Sequence, residues 1–220
     1  HISPQVSLAD LLGFEQYHYM SIEREKQTSQ RIWIDEEMPN VAEISDEAYA
    51  DAIAERIYQI RQLDEQMLVL FNSKKAMFDV SERLDEMELH HLTQEKNGTA
   101  YNVKRRFERG ESHILLGTGA FWEGVDFVQS DKMIEVITRL PFENPKDLFV
   151  QKISNHLLAQ AKSPFNDYSL PLAILKLKQA IGRTMRREKQ RSAVLLLDPR
   201  ILTKSYGRII NDALSEEFYI

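Results

Sequence analysis

Cysteine is absent from the 220 residues of the chain. Disulfides, thiolate metal sites, iron–sulfur clusters and cysteine nucleophiles are therefore excluded from it. Two glycine-rich phosphate loops are missing as well, because neither GxxxxGK(S/T) nor GxGxxG occurs in the sequence. The chain by itself thus has no evident loop for holding the phosphates of a nucleotide.

Long apolar runs are also missing, and none is long enough to span a bilayer. No signal peptide is visible, so we expect a cytoplasmic protein with no membrane partner. The formal net charge of −6 argues against a protein that coats nucleic acid through overall positive charge. A local basic groove remains open, because basic residues cluster at Lys74–Lys75, Lys104–Arg109 and Arg183–Arg191.

Short apolar runs alternate with amphipathic stretches along the chain. The apolar runs predict buried strands at Met67–Phe71, His113–Leu116, Met133–Thr138 and Ala193–Leu197, with a weaker candidate at Arg31–Ile34. The amphipathic stretches predict helices at Asp46–Ile60, after an N-cap at Ser73, and at Ala100–Glu108 before Gly110. This alternation indicates an α/β fold with an open parallel sheet, in which function gathers in loops beyond the carboxyl ends of the strands.

The segment LKQAIGRTMRR from Leu177 to Arg187 predicts a two-sided helix. Its apolar side holds Leu170, Ile174, Leu177, Ile181 and Met185. Its polar side holds Lys176, Gln179, Arg183 and Arg186, with Gly182 leaving room for a close approach. Arginine forms two-pronged hydrogen bonds and keeps its charge, so this side suits a phosphate from outside the chain, although solvated surface is the commoner role.

The segment GTGAFWEGVDF, which begins at Gly117, follows a predicted strand. Its Trp122 is either a lid on the core or a surface for stacking on a base or on a partner domain. Glu123 and Asp126 flank Gly124, and their carboxylates suit a magnesium shell, a ribose hydroxyl or a salt bridge to the arginines. The residues alone leave these alternatives open.

Ser73 and Lys74 mark a helix start directly after a strand. Backbone amides at such a start attract phosphate, and the alternative is an ordinary cap with a solvated lysine. His90 and His91 are a poor metal pair, because adjacent residues of a strand point to opposite faces. No metal site is predicted.

Three segments resemble motifs of the DinG/XPD group of superfamily 2 DNA helicases. LLGTGAFWEGVDF resembles motif V, QAIGRTMRR resembles motif VI with its pattern QxxGRxxR, and LVLFNSKK resembles motif IV. ISPQVSLADLLGF resembles the sequence that follows motif III. The resemblance covers nearly the whole chain and implies a RecA-like C-terminal motor domain over residues 26–220, with a lead-in over 1–25 and a helical excursion near 149–168.

The resemblance implies that ATP and Mg²⁺ are held mainly by the first RecA-like domain of the same polypeptide, which carries the Walker motifs. In this chain it implies arginine fingers at Arg183 and Arg186 and a nucleotide sensor at Gln179. It also implies that nucleotide binding and its coupling to DNA involve Glu123, Gly124, Asp126 and Gly182. It implies contacts to single-stranded DNA from Ser73, Lys74, Thr118, Gly119 and Trp122.

The Walker motifs are absent, so we expect the isolated chain to hydrolyse no ATP. Two alternatives to a helicase motor stand beside it. One is a DinG-type protein whose main activity is an N-terminal 3'-5' exonuclease, with this region binding DNA. The other is an interaction module on a degenerate motor fold, against which the complete QxxGRxxR pattern argues.

Overall fold

A parallel sheet of six strands forms the centre of the protein. The computed structural model describes residues 30–123, 125, 127, 132–183, 191–218 and 220, without the side chains of residues 30, 183 and 191. The strands are β1 (Gln30–Ile34), β2 (Gln66–Phe71), β3 (Leu92–Thr93), β4 (Ile114–Thr118), β5 (Lys132–Ile137) and β6 (Arg191–Leu196). Their order across the sheet is β1-β6-β5-β2-β4-β3, and every pair is parallel. The predicted open parallel sheet is confirmed, including its weakest strand.

Seven α-helices connect the strands within the described residues. They are α1 (Asp46–Arg61), α2 (Lys74–Glu86), α3 (Ala100–Glu108), α4 (Leu148–Ala159), α5 (Leu170–Arg183), α6 (Arg200–Thr203) and α7 (Ser205–Ser215). Side-chain N-caps begin α1, α2, α3 and α4, as the hydroxyl or carboxylate of Ser45, Ser73, Thr99 and Asp147 accepts from the first turn. The predicted cap at Ser73 and the predicted helix Ala100–Glu108 are confirmed.

The helices cover both faces of the sheet. Leu68 and Leu115 face a core formed with α3, α5 and α7. Val69 and Leu116, one residue further along each strand, face the core formed with α1 and α2. Neighbouring residues on a strand point to opposite faces, so both sides of the central strands are buried and their sequences are almost continuously apolar.

Helix α5 lies with its apolar side on the sheet. Leu170, Ile174, Leu177 and Ile181 are all buried, as the helical spacing predicts. Met185, the fifth residue predicted for this side, lies outside the described residues. A π-helical turn at Phe165–Ser169 leads into α5 from α4. The lead-in assigned to residues 1–25 also lies outside the described residues.

Candidate functional site

The two loops singled out in the sequence lie side by side at the carboxyl edge of the sheet. Strands β2 and β4 are neighbours, and Phe71 stands opposite Thr118 in the register. The turn containing Ser73 therefore starts next to the turn containing Gly119. Gly119 has a φ of +52°, a left-handed conformation that suits glycine. Its exposed backbone is accessible to a ligand at this edge.

Ser73 and Lys74 form the exposed start of α2. The Ser73 hydroxyl accepts from the backbone N–H of Ala76 at 3.2 Å, which is the capping role. The ammonium of Lys74 lies 2.7 Å from Glu95 Oε1, and the two side chains are 61% and 43% exposed. An exposed ion pair of this kind contributes little stability, so Lys74 can exchange its partner at small cost.

Thr118 is buried, and a side chain from the segment after the neighbouring strand β3 holds its backbone. Its N–H donates to Gln94 Oε1 at 2.9 Å. Gln94 follows directly after β3, at the outer edge of the sheet. Because Glu95 contacts Lys74, the short segment after β3 touches both loops. The sequence did not indicate Gln94 or Glu95, since a strand of two residues gives no periodic pattern.

Trp122 lies in the core and fastens its loop to the end of β2. The ring is 6% exposed, and its Nε1–H donates to the carbonyl of Phe71 at 2.8 Å. The neighbouring Phe121 is fully buried and stacks near Phe127 with ring centroids 6.2 Å apart. In this conformation Trp122 acts as a lid on the core, and its buried ring offers no face to a base.

The loop after β4 contacts the polar side of α5. Glu123 Oε1 lies 3.9 Å from Lys176 Nζ. Lys176 also pairs with Glu143, which follows β5. The sequence left a magnesium shell, a ribose hydroxyl and the arginines open as partners of Glu123. Among the described residues, its carboxylate forms a salt bridge with the lysine of α5. The contact joins the GTGAFWEGVDF segment to the helix of the QAIGRTMRR segment.

Further along α5, the polar side faces outward. Gln179 is exposed one turn after Lys176. At Gly182, an added Cβ would meet nothing within 4 Å, so the space before this residue is open among the described residues. The backbone of Arg183 ends α5, while its side chain is outside the description. Gly124, Asp126 and Arg186 also lie outside the described residues.

A buried polar pair braces the same edge of the sheet. Asp198, fully buried after β6, accepts from the Leu140 N–H at 2.8 Å and from Arg200 Nη2 at 2.6 Å. The Tyr49 hydroxyl donates to the carbonyls of Thr138 and Leu197. Burial, and next the charge of Asp198, raises the pKa of Tyr49, so it stays a neutral donor. An aspartate directly after a buried apolar strand was the sequence signal for this brace.

The described residues form neither a metal-ligand cluster nor a membrane-spanning helix. In the part of the chain that the structure describes, no group of three or more His, Cys, Asp or Glu side chains could hold a metal ion. His91 donates from Nδ1 to the Leu89 carbonyl, and its Nε2 accepts from Ser81. These two bonds occupy both ring nitrogens. None of the described helices has the length and apolarity to cross a membrane.

Comparison with known proteins gives three results. The helicase C-terminal domain family matches residues 55–217. The 3'-5' exonuclease DinG of Bacillus subtilis (strain 168) is 30% identical over 190 residues, which is 84% of this chain and 20% of that protein. The chain therefore spans about a fifth of the length of the curated relatives it matches.

Solved structures show the fold. An XPD helicase superposes with a TM-score of 0.71 at 17% identity, over 98% of this chain and 40% of its own. Xpd4 of S. tokodaii superposes with a TM-score of 0.64 at 16% identity, over 94% of this chain and 41% of its own. The expected RecA-like arrangement is confirmed by these superpositions together with the parallel sheet.

Proposed function

The chain belongs to the helicase C-terminal domain family, of the DinG/XPD type, and from this premise we propose that it is the second motor domain of an ATP-dependent DNA helicase or translocase. The observation that carries the proposal is the contact between Glu123 and Lys176. It puts the loop after β4 and the polar side of α5 on one surface. A motor needs such a link, because a change at the nucleotide must reach the residues that touch DNA.

The nucleotide half of the proposal rests on α5. Its apolar side is buried, which directs the opposite side, with exposed Gln179, away from the sheet. Arg183 and Arg186 would follow on that side and reach the γ-phosphate of an ATP bound by the first motor domain. Open space at Gly182 allows the phosphates to come close. The chain then supplies charge stabilisation and hydrogen-bond donors, while Mg²⁺ and most of the ATP are held by the first domain.

The DNA half rests on the two adjacent loops. Ser73 and Lys74 would bind one phosphate of single-stranded DNA, at an exposed helix start where backbone amides and the ammonium converge. The Thr118 hydroxyl and the exposed backbone at Gly119 would bind the next. Trp122, which the sequence also offered as a DNA contact, would act indirectly by holding the loop in place.

Coupling between the halves would pass through the segment between them. Glu123 contacts α5 directly, and Gly124 and Asp126 continue the same loop. Closure of the two motor domains on ATP would move α5, and the loop would pass the movement to the DNA. Alternate closing and opening would then advance the strand.

Replacement of the arginines tests the proposal in the intact polypeptide that contains the Walker motifs. Arg183→Ala and Arg186→Ala should each lower ATP turnover by about 10³-fold or more, as loss of an arginine finger does, while single-stranded DNA binding is retained. Arg83→Ala is the control, because Arg83 lies on α2 across the sheet and pairs with Asp51. Turnover near wild type in Arg183→Ala would overturn the assignment.

The exonuclease alternative is not favoured for this chain. The curated relatives are named as 3'-5' exonucleases, but the region matched here is the helicase C-terminal domain. The described residues contain no cluster of three or more His, Cys, Asp or Glu side chains that could hold a metal ion. An exonuclease activity of the whole protein would belong to another part of it, and should persist in the Arg183→Ala variant.

A further inference from the structure

Helix α3 presents a stripe of three exposed side chains. Tyr101, Arg105 and Arg109 stand four residues apart and share the outward side of the helix, with Arg109 at its C-cap. Val103 and Phe107 on the opposite side are fully buried. Because the apolar side of α3 is buried, the three side chains of the stripe face away from the core. Tyr101 is 65% exposed.

The two arginines of the stripe are not neutralised. Within the described ranges, neither Arg105 nor Arg109 has an acidic partner. The other two basic residues of α3, Lys104 and Arg106, each form a salt bridge with a glutamate. The outward side of the helix thus keeps a local positive charge in a protein whose net charge is −6.

Arg105 and Tyr101 form a prearranged pair. The guanidinium carbon of Arg105 lies 5.6 Å from the centroid of the Tyr101 ring, within cation–π distance. One face of the ring is covered in this way, and the exposure of the side chain leaves the other open. An aromatic face beside uncompensated arginines is the combination by which proteins bind single strands, with bases stacking and phosphates pairing.

The stripe begins at the same edge of the sheet as the two proposed DNA loops. Helix α3 begins at Ala100, a few residues after Gln94 and Glu95, which contact the loops through Thr118 and Lys74. The end of α3 that carries Tyr101 therefore lies at the same edge of the sheet as those loops. From there the stripe runs about 12 Å along the helix, since each residue advances the axis by about 1.5 Å.

We propose that the Tyr101–Arg105–Arg109 stripe is a second contact for single-stranded DNA, which binds the strand where it continues beyond the loops. This inference rests on the proposed function. An unpaired base stacks on the open face of Tyr101, and phosphates pair with Arg105 and Arg109. The occupant is a single strand, because a base inside a duplex has no free face for the tyrosine.

Salt-dependent binding of oligothymidylates of increasing length to the intact polypeptide tests the stripe. On long strands, Arg105→Gln combined with Arg109→Gln should reduce the slope of log K against log salt by about 1.4, or about 0.7 for each lost phosphate contact. Tyr101→Ala should weaken binding about 5-fold or more, while Tyr101→Phe retains it. The control is Lys152→Gln combined with Lys162→Gln, an equal charge change at exposed lysines near α4. An unchanged slope, or an equal fall in the control, would refute the stripe.

Strand length separates the stripe from the proposed function. On the shortest strands that still bind, the stripe variants should match wild type, whereas Lys74→Gln should weaken binding at every length. If Lys74→Gln matters and the stripe variants do not, only the second contact is wrong. If Lys74→Gln has no effect at any length, the proposed loop contacts are wrong instead. Equal losses on blunt duplex and single strand would refute the choice of a single strand as occupant.

Discussion

Glu95 forms an ion pair with Lys74, the lysine proposed above to bind a DNA phosphate. Its carboxylate lies 2.7 Å from the lysine ammonium. Glu95 adopts a φ of +68°, in the left-handed region that is costly for a side-chain-bearing residue, and its N–H donates to the Gly98 carbonyl at 2.8 Å. The backbone thus holds an anion against a cation at the junction of the two loops. A DNA phosphate bound at Lys74, as proposed above, would have to displace this carboxylate.

Removal of the Glu95 charge should strengthen DNA binding. We expect Glu95→Gln to raise the single-stranded DNA affinity of the intact protein about 2- to 5-fold, the range of one exposed ion pair. The gain should vanish when Lys74→Gln is added, which a double-mutant cycle measures. Glu88→Gln is the matched control, because Glu88 is also an exposed glutamate with positive φ. No gain in Glu95→Gln would show that the pair does not oppose DNA.

Loss of the Gln94 amide should destabilise the loop after β4. Gln94→Ala leaves the N–H of Thr118 buried without its acceptor. An unsatisfied buried donor costs about 1–3 kcal/mol, and urea unfolding of the chain measures this loss. Gln62→Ala, at an exposed position after α1, should change the free energy of unfolding by about 0.5 kcal/mol or less. Equal stabilities of the two variants would contradict the role of Gln94.

Two glycines should respond oppositely to alanine. At Gly117 an added Cβ would lie 2.4 Å from Cδ2 of Phe121, so Gly117→Ala should cost about 1–3 kcal/mol of stability through overpacking. At Gly182 an added Cβ would meet none of the described residues within 4 Å, and alanine favours the helix by about 1 kcal/mol. Gly182→Ala should therefore keep or raise stability in urea unfolding and yet lower ATP turnover in the intact protein. Full turnover would show that no phosphate approaches Gly182.

A buried histidine makes stability depend on pH. Ser81 accepts hydrogen bonds from Thr93 and Lys96, so its own hydroxyl proton is directed to His91 Nε2. Burial lowers the pKa of His91 from 6.5, with opposition from the Leu89 hydrogen bond and the nearby Asp85 carboxylate, and with smaller lowering effects from Lys96 and His90. His91 therefore binds a proton less readily in the folded chain than in the unfolded chain.

The sign of the effect follows from proton linkage. Well above pH 6.5 the imidazole is neutral in both states, and its contribution to stability is fully present. As the pH falls below this value the unfolded state binds more protons, so the free energy of unfolding decreases. His91→Gln should flatten this decrease between neutral pH and about pH 5, while exposed His90→Gln keeps it. Urea unfolding at several pH values measures the slope, and parallel slopes in all three proteins would refute the prediction.

The regular elements were predictable because their patterns are local. The spacing of apolar residues in α5 predicted which side is buried, and Leu177 and Ile181 are buried there. The run Met67–Phe71 predicted β2 within one residue. Strand β3 was not predicted, because two residues contain no period. The role of Trp122 stayed open in the sequence, since stacking and core packing use the same kind of side chain.

The amino-acid sequence by itself determined five of the six described strands, helices α1, α2, α3 and α5 and the parallel sheet, because apolar periodicity acts over a few residues. Its resemblance to known motifs, and not its periodicity, indicated a motor domain. Only the tertiary structure decided that Glu95 meets Lys74, that Gln94 holds Thr118 and that Glu123 reaches Lys176. Each of these pairs joins residues from separate segments of the chain that meet at the carboxyl edge of the sheet. Their distances depend on strand order and register, which arise when distant segments pack together rather than from any one segment.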